Sequence, residues 1–282
     1  MKTVGVAGLG LMGSGIAQVA ATAGYDVVGR EVTQELGQKA RAGIDKNLAK
    51  MAEKNLLKEP AAAIVGRIRF VTALEEFRSC DLVVEAITEN LPAKQELFRQ
   101  LAKVVRPDCV LATNTSSLSV TEIGAVSGSL TRVVGMHFFN PVPRMPLVEL
   151  IRTVDTSAAS FALARQFVER TGKQPVVVGD SPGFVVNWLL VPYLLDAIRA
   201  LERQMATREE IDAAMKLGCG YPMGPLELLD FVGLDTTLAI AEVFFKAFGE
   251  ARYAAPSLLR QMVLAGRMGR KSGRGFYDYT AK

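Results

Sequence analysis

The sequence is poor in the residues that build metal centres and cross-links. Its 282 residues hold one histidine, His137, one tryptophan, Trp188, and three cysteines, Cys80, Cys109 and Cys219. The cysteines are far apart and odd in number, with no CxxC pair and no Cys/His cluster, which argues against a disulfide framework and structural zinc. No metal is therefore expected, and a reducing cytoplasm suits three free thiols. Charge of one sign is not massed anywhere. Lys and Arg number 33 against 29 Asp and Glu, and the net charge of +4 is spread along the chain. That balance fits small acidic ligands better than nucleic acid. Internal repeats and low-complexity segments are absent too.

One further absence misleads. From Thr3 to Tyr25 no residue is charged, and Lys2 precedes the run. Signal peptides and membrane spans share that pattern. Here Gly5, Gly8, Gly10, Gly13 and Gly15 interrupt the first half, and each glycine weakens a helix by about 1 kcal/mol relative to alanine. A buried strand, a turn and a buried helix account for the run, so no membrane partner is expected.

What is present alternates. "TVGVAG", "YDVVGR", "IRFVTA", "DLVVEAI", "CVLATN", "RVVGMHFF", "LVELI" and "PVVVGD" read as strands. "SGIAQVAATAG", the charged span 32–58, "AKQELFRQLAKVV" and residues 157–171 read as helices between them. The alternation predicts an α/β fold with a Rossmann-like, doubly wound and mostly parallel sheet. After "SPGF" the patterns are long, apolar and helical. We therefore expect a dinucleotide-binding domain over 1–180 and an all-helical domain over 181–282 for substrate binding and dimerisation.

Gly8-Leu9-Gly10-Leu11-Met12-Gly13 fits GxGxxG between a strand and a helix, the context in which that pattern cradles a dinucleotide. Gly8 permits the turn, Gly10 admits a pyrophosphate, and Gly13 lets the helix pack on the sheet. Leu11 and Met12 complete the candidate cofactor contacts. Glu31, at the end of the second strand, can accept the ribose hydroxyls and repel a 2′-phosphate. Arg30 beside it could welcome that phosphate, but we favour NAD. Lys46, Lys50, Lys54 and Lys58 recur every fourth residue, a basic stripe if all lie on one helix. Read alone, that stripe is a solvated helix face or a landing surface for phosphates. Ser116 and Ser117 end a buried strand, where they could donate to a ligand or cap the helix of "LSVTEI". His137 by itself reads as a hydrogen-bonded core residue, an incidental surface residue or a proton carrier, and Glu149 as a strand-edge carboxylate facing water.

With this cradle, the ordered motifs "NTSSLSVTEI", "GMHFFNPVP", "DSPGFVVNWLLVPYLLDAI", "IDAAMKLGCGYPMGPLELLDFVGLD" and "GRKSGRGFYDY" make the chain resemble the L-3-hydroxyacyl-CoA dehydrogenase family over essentially its whole length. The compact form is most similar to the bacterial enzymes acting on 3-hydroxybutyryl-CoA. The resemblance implies NAD-dependent interconversion of an (S)-3-hydroxyacyl-CoA and its 3-ketoacyl-CoA, within fatty-acid and butanoate metabolism. It implies His137 as acid/base with Glu149 as its partner, and Ser116 and Asn187 as substrate-positioning groups. Glu89, Lys94, Ser116 and Lys271 would contact the dinucleotide, and Asn47 and Lys54 the coenzyme A. Asn140 shares the histidine's loop and receives no catalytic role. Two positions depart from the family: Glu31 stands where aspartate is frequent, and Trp188 where arginine is usual. Apolar faces in the helical domain suggest a homodimer. Competing readings are a 3-hydroxyisobutyrate-type or sugar-acid dehydrogenase on the same scaffold, and a non-catalytic NAD-binding protein such as some crystallins. A lysine usually serves the former enzymes as acid/base, and "HFFNPVP" is foreign to them.

Overall fold

The computed structural model describes residues 1–280. Its chain divides into two compact units, Met1–Ser181 and a second that begins at Pro182. In the first, the elements run β1 (Thr3–Ala7), α1 (Leu11–Thr22), β2 (Asp26–Arg30), α2 (Gln34–Glu53), α3 (Ala61–Gly66), β3 (Ile68–Val71), β4 (Leu82–Glu85), α4 (Leu91–Val104), β5 (Val110–Thr113), α5 (Val120–Gly124), β6 (Val133–Phe138), β7 (Leu147–Arg152), α6 (Ala158–Arg170) and β8 (Gln174–Gly179). The strands form one sheet in the order β3-β2-β1-β4-β5-β6-β7-β8. All pairings are parallel except β6 with β7. The order reverses between β1 and β4, and ligands of such sheets collect beyond the strand carboxyl ends at that switch. Val4, Val6, Leu82, Val84, Val110 and Val134 supply the buried sheet core, which explains why these strands read as unbroken apolar runs.

The helix expected over 32–58 is shorter. Its end at Glu53 is set by Asn55, whose φ of 55° is left-handed. The Leu56 N–H then donates to the Met51 carbonyl and the Asn55 N–H to that of Ala52, a Schellman closure. Lys54 is thus the C-cap and Lys58 lies past the helix. Only Lys46 and Lys50 of the expected stripe are on α2, and the continuous four-lysine surface does not form.

The second unit is helical: α7 (Val186–Glu202), α8 (Arg208–Cys219), α9 (Pro225–Val232), α10 (Leu234–Phe248) and α11 (Ser257–Leu264). Leu195, Ile198, Leu226, Leu229, Phe244 and Tyr253 form its core. Two buried carboxylates tie it together. Asp212 accepts the N–H groups of Leu226 and Glu227, capping α9, and Asp230 accepts those of Phe276 and Tyr277, holding the closing segment.

Candidate active site

The glycine turn is built for close approach. Gly8 has φ +90°, and a Cβ there would lie 2.8 Å from the Ala86 carbonyl oxygen. A Cβ on Gly13 would lie 1.8 Å from the Gly8 carbonyl oxygen, so α1 seats on the turn only because position 13 has no side chain. At Gly10, the N-cap of α1, an added Cβ would meet nothing within 4 Å. That helix begins with no side-chain cap and no acidic residue in its first turn. Its first N–H groups and dipole therefore favour an anion. Leu11 beside them is 75% exposed and Met12 half-buried.

Glu31 follows β2 and reaches back to this turn. Its Oε1 accepts the Leu9 N–H at 2.6 Å and its Oε2 the Val32 N–H at 3.1 Å. Arg30 points its Nε at the Thr72 carbonyl, 3.0 Å away. Gly10, Leu11, Glu31, Asn47 and Asn140 line one cavity of about 420 Å³, joined by Lys39, which sequence reasoning passed over. Lys39 precedes Asn47 by two helical turns, and that spacing could have shown it. Lys54 does not line this cavity. An open cradle, an uncapped helix terminus and a carboxylate bonded to the turn at the end of β2 fit a dinucleotide with an unphosphorylated ribose.

Past β4 lies a buried ionic chain. Lys94 is 1% exposed, and its Nζ sits 2.7 Å from Glu85 Oε1 and 3.2 Å from Glu89 Oε2. Glu85, also buried, accepts the Thr113 hydroxyl at 2.6 Å and the Ile87 N–H at 2.7 Å. Glu89 Oε1 accepts the Thr115 hydroxyl at 2.6 Å and the Ser116 N–H at 2.8 Å, with the Ser116 Oγ at 3.2 Å. Burial pushes the Glu89 carboxyl up. The Lys94 ammonium and these hydrogen bonds outweigh it and hold Glu89 below the usual glutamate value. Glu85 was missed in the sequence, although a carboxylate closing the apolar run "DLVVE" was a usable signal. Neither Ser116 nor Ser117 caps α5. Ser119 does, accepting the Glu122 N–H at 3.2 Å.

His137 and Glu149 are cross-strand partners in the antiparallel β6–β7 pair. The loop between them returns the chain so that Nδ1 and Oε2 meet at 2.8 Å. Both are buried, at 5% and 1% exposure, so the contact is shielded from water. The ring of Phe139 lies 4.4 Å from the imidazole centroid. A carboxylate on Nδ1 fixes the tautomer in which Nε2 can exchange a proton, and it stabilises the imidazolium once formed.

The remaining candidates belong to the second unit. Asn187 is in the first turn of α7. Lys271 donates to Asp235 Oδ2 at 2.6 Å. Trp188, the departure from the family pattern, carries the guanidinium of Arg252 over its ring at 4.2 Å, so a cation–π contact fills the local packing.

Comparison with known proteins identifies the family. Residues 3–181 match the family model of the 3-hydroxyacyl-CoA dehydrogenase NAD binding domain, and residues 183–279 that of the C-terminal domain. A probable 3-hydroxybutyryl-CoA dehydrogenase of Deinococcus radiodurans is 48% identical over 98% of this chain and 99% of its own. The human mitochondrial hydroxyacyl-coenzyme A dehydrogenase is 46% identical over 99% of this chain and 91% of its own. The crystal structure of (S)-3-hydroxybutyryl-CoA dehydrogenase from Ralstonia eutropha superposes with a TM-score of 0.96 at 43% identity, covering 99% of each chain.

Proposed function

The chain belongs to the 3-hydroxyacyl-CoA dehydrogenase family, and from that premise we propose that it interconverts (S)-3-hydroxybutyryl-CoA and acetoacetyl-CoA with NAD, using His137 and Glu149 as its acid/base pair. The observation that carries the reading is the shielded 2.8 Å contact between these two side chains. Oxidising a secondary alcohol removes a hydride from carbon and a proton from oxygen. NAD, when bound, accepts the hydride. His137 takes the hydroxyl proton, and Glu149 holds the resulting imidazolium in place. In the reverse direction His137 returns that proton to the ketone oxygen.

Ser116 and Asn187 position the substrate oxygen in this reading. Gly8, Gly10, Leu11, Met12, Gly13 and Glu31 hold the adenosine and pyrophosphate half of NAD, and Glu89, Ser116 and Lys271 the remainder. Lys94 acts through Glu89 as a positioning residue, because its ammonium is buried against two carboxylates. Asn47 and Lys54 contact the coenzyme A. Leu189, Leu217 and Leu264 are exposed leucines of the helical unit, and they support a homodimer. The three free cysteines support a cytoplasmic location, and the acyl-CoA reading a place in fatty-acid or butanoate metabolism. Among the described residues no helix is long and apolar enough to cross a membrane.

The test is NADH oxidation at 340 nm with acetoacetyl-CoA, free acetoacetate and sugar ketoacids, repeated with NADPH. Turnover confined to the thioester and favouring NADH is expected. Equal turnover of a free ketoacid, or none of any substrate, would refute the assignment.

A further inference from the structure

Ser116 belongs to the segment between β5 and α5, and two carboxylates hold that segment at its two ends. At the first, Glu89 and the Thr115 hydroxyl accept the N–H groups of Ser116, Ser117 and Leu118. At the other stands Asp180, a residue with no role so far. Its Oδ1 accepts the Val120 N–H at 2.8 Å, and its Oδ2 accepts the Thr121 N–H at 2.7 Å and the Ser119 hydroxyl at 3.1 Å. Asp180 follows β8 and is the last residue but one of the first unit. Helix α5 has only five residues, too few to persist by its own hydrogen bonds. The N–H groups that open a helix have no partner within it. Ser119 accepts that of Glu122, and Asp180 those of Val120 and Thr121, so a distant carboxylate completes the start of this short helix.

The same segment is fastened to the strand of His137 on both sides of the imidazole residue. Asn114 Oδ1 accepts the Phe138 N–H at 2.9 Å. Val120 rests on the bare backbone of Gly135, where an added Cβ would lie 2.7 Å from a Val120 methyl carbon. Gly135 and His137 are two residues apart on β6 and therefore share a face of the sheet. A shift of α5 along β6 thus moves Ser116 relative to His137. The apolar contact of Val120 with Gly135 is non-directional and permits sliding. Hydrogen bonds to an ionised carboxylate are short and directional, and they fix the position.

We propose that Asp180 is a positioning residue for the dehydrogenase reaction, holding the start of α5 so that Ser116 stands in register with His137. The inference rests on the roles given to Ser116 and His137 above. Asp180 itself touches neither substrate nor cofactor in it.

The experiment is a double-mutant cycle on kcat, with acetoacetyl-CoA and NADH, between position 180 and Ser116→Ala. A catalytic group displaced by about 1 Å can cost on the order of a hundredfold, so Asp180→Ala alone should lower kcat by roughly ten- to a hundredfold, with NADH affinity changed far less. Asp180→Asn keeps one acceptor oxygen and should lose less. With Ser116 already replaced, either change at position 180 should lower kcat hardly further, because coupled residues are not additive. The same loss in both backgrounds would mean that Asp180 supports the fold alone, and would overturn the proposal while leaving the role of Ser116 intact. Parental kcat in Ser116→Ala would overturn both. If Asp180→Ala does not fold, Asp180→Asn carries the cycle. Amide hydrogen exchange reads the anchor without turnover, and exchange of residues 116–121 should quicken in Asp180→Asn while that of β1 stays unchanged. Should the unaltered protein turn over no thioester, the function assignment fails; exchange as slow in Asp180→Asn as in the parent overturns the anchor itself.

Discussion

At the scale of single residues the site depends on one imidazole. His137 has no understudy, because the chain contains no second histidine. His137→Asn should lower turnover by about 10²–10⁴-fold while NADH still binds. Glu149→Gln should give a smaller defect, since the imidazole remains but its protonated form loses a buried counter-charge. A folded His137→Asn protein with full activity would end the acid/base assignment. That pair was half legible in the sequence. Two strand patterns flanking a turn-rich loop allowed a return, but only the antiparallel register places residue 149 opposite 137. Glu85 was legible only as a carboxylate closing an apolar run; its pairing was not, because Lys94 comes from the following helix and only the folded backbone brings them to 2.7 Å. Glu89 carries a pH signature. Its carboxyl is held below the ordinary glutamate value although burial opposes this, because Lys94 and the Thr115 and Ser116 hydrogen bonds favour the charged form. The folded protein therefore binds that proton more weakly than the unfolded chain does. The resulting stabilisation is complete above the unfolded value, about 4.3, and is lost as pH falls through the depressed one. Urea unfolding over a pH series should show Glu89→Gln less stable than the parent at pH 7, with the gap closing in acid. A gap independent of pH would show that the charge of Glu89 contributes nothing.

At the scale of elements the cradle separates two uses of glycine that one motif hides. Position 13 is filled by backbone, with the Gly8 carbonyl oxygen 1.8 Å from where a Cβ would stand. Position 10 borders open space. Gly13→Ala should therefore cost stability directly, on the order of 1–3 kcal/mol as overpacking does, with or without cofactor. Gly10→Ala should leave thermal unfolding of the free protein within about 0.5 kcal/mol but weaken NADH binding by roughly tenfold, because the methyl group takes the room a pyrophosphate needs. Calorimetry and NADH fluorescence titration check both. Unchanged NADH affinity in Gly10→Ala would remove the phosphates from this turn. The strand and helix pattern of this region was legible because buried parallel strands are continuous apolar runs between amphipathic helices. The end of α2 was not. Charge periodicity continues to Lys58, whereas the helix stops where Asn55 turns left-handed, a local backbone preference that no periodicity reports.

At the scale of the whole molecule the net charge of +4 gains meaning from where the unpaired cations stand. The sequence showed that Lys and Arg are dispersed, and dispersion along a chain says little about concentration in space. Residues 58, 144 and the neighbouring 170 and 173 come from three segments yet meet in one cavity. Lys39, at the cofactor cavity, adds a further positive charge to the same unit. A coenzyme A thioester carries several negative charges and a pantetheine thioester none, so the two should respond differently to salt. Raising ionic strength from about 0.01 to 0.15 M shortens the screening length from roughly 30 to 8 Å. The kcat/KM for acetoacetyl-CoA should then fall severalfold, mainly through KM, because attraction to fixed cations concentrates the charged substrate. The kcat/KM for acetoacetyl-pantetheine should stay nearly constant at saturating NADH. Parallel declines for both thioesters would place the salt effect on the cofactor or on the fold, and the basic cavity would then contribute no steering to the substrate.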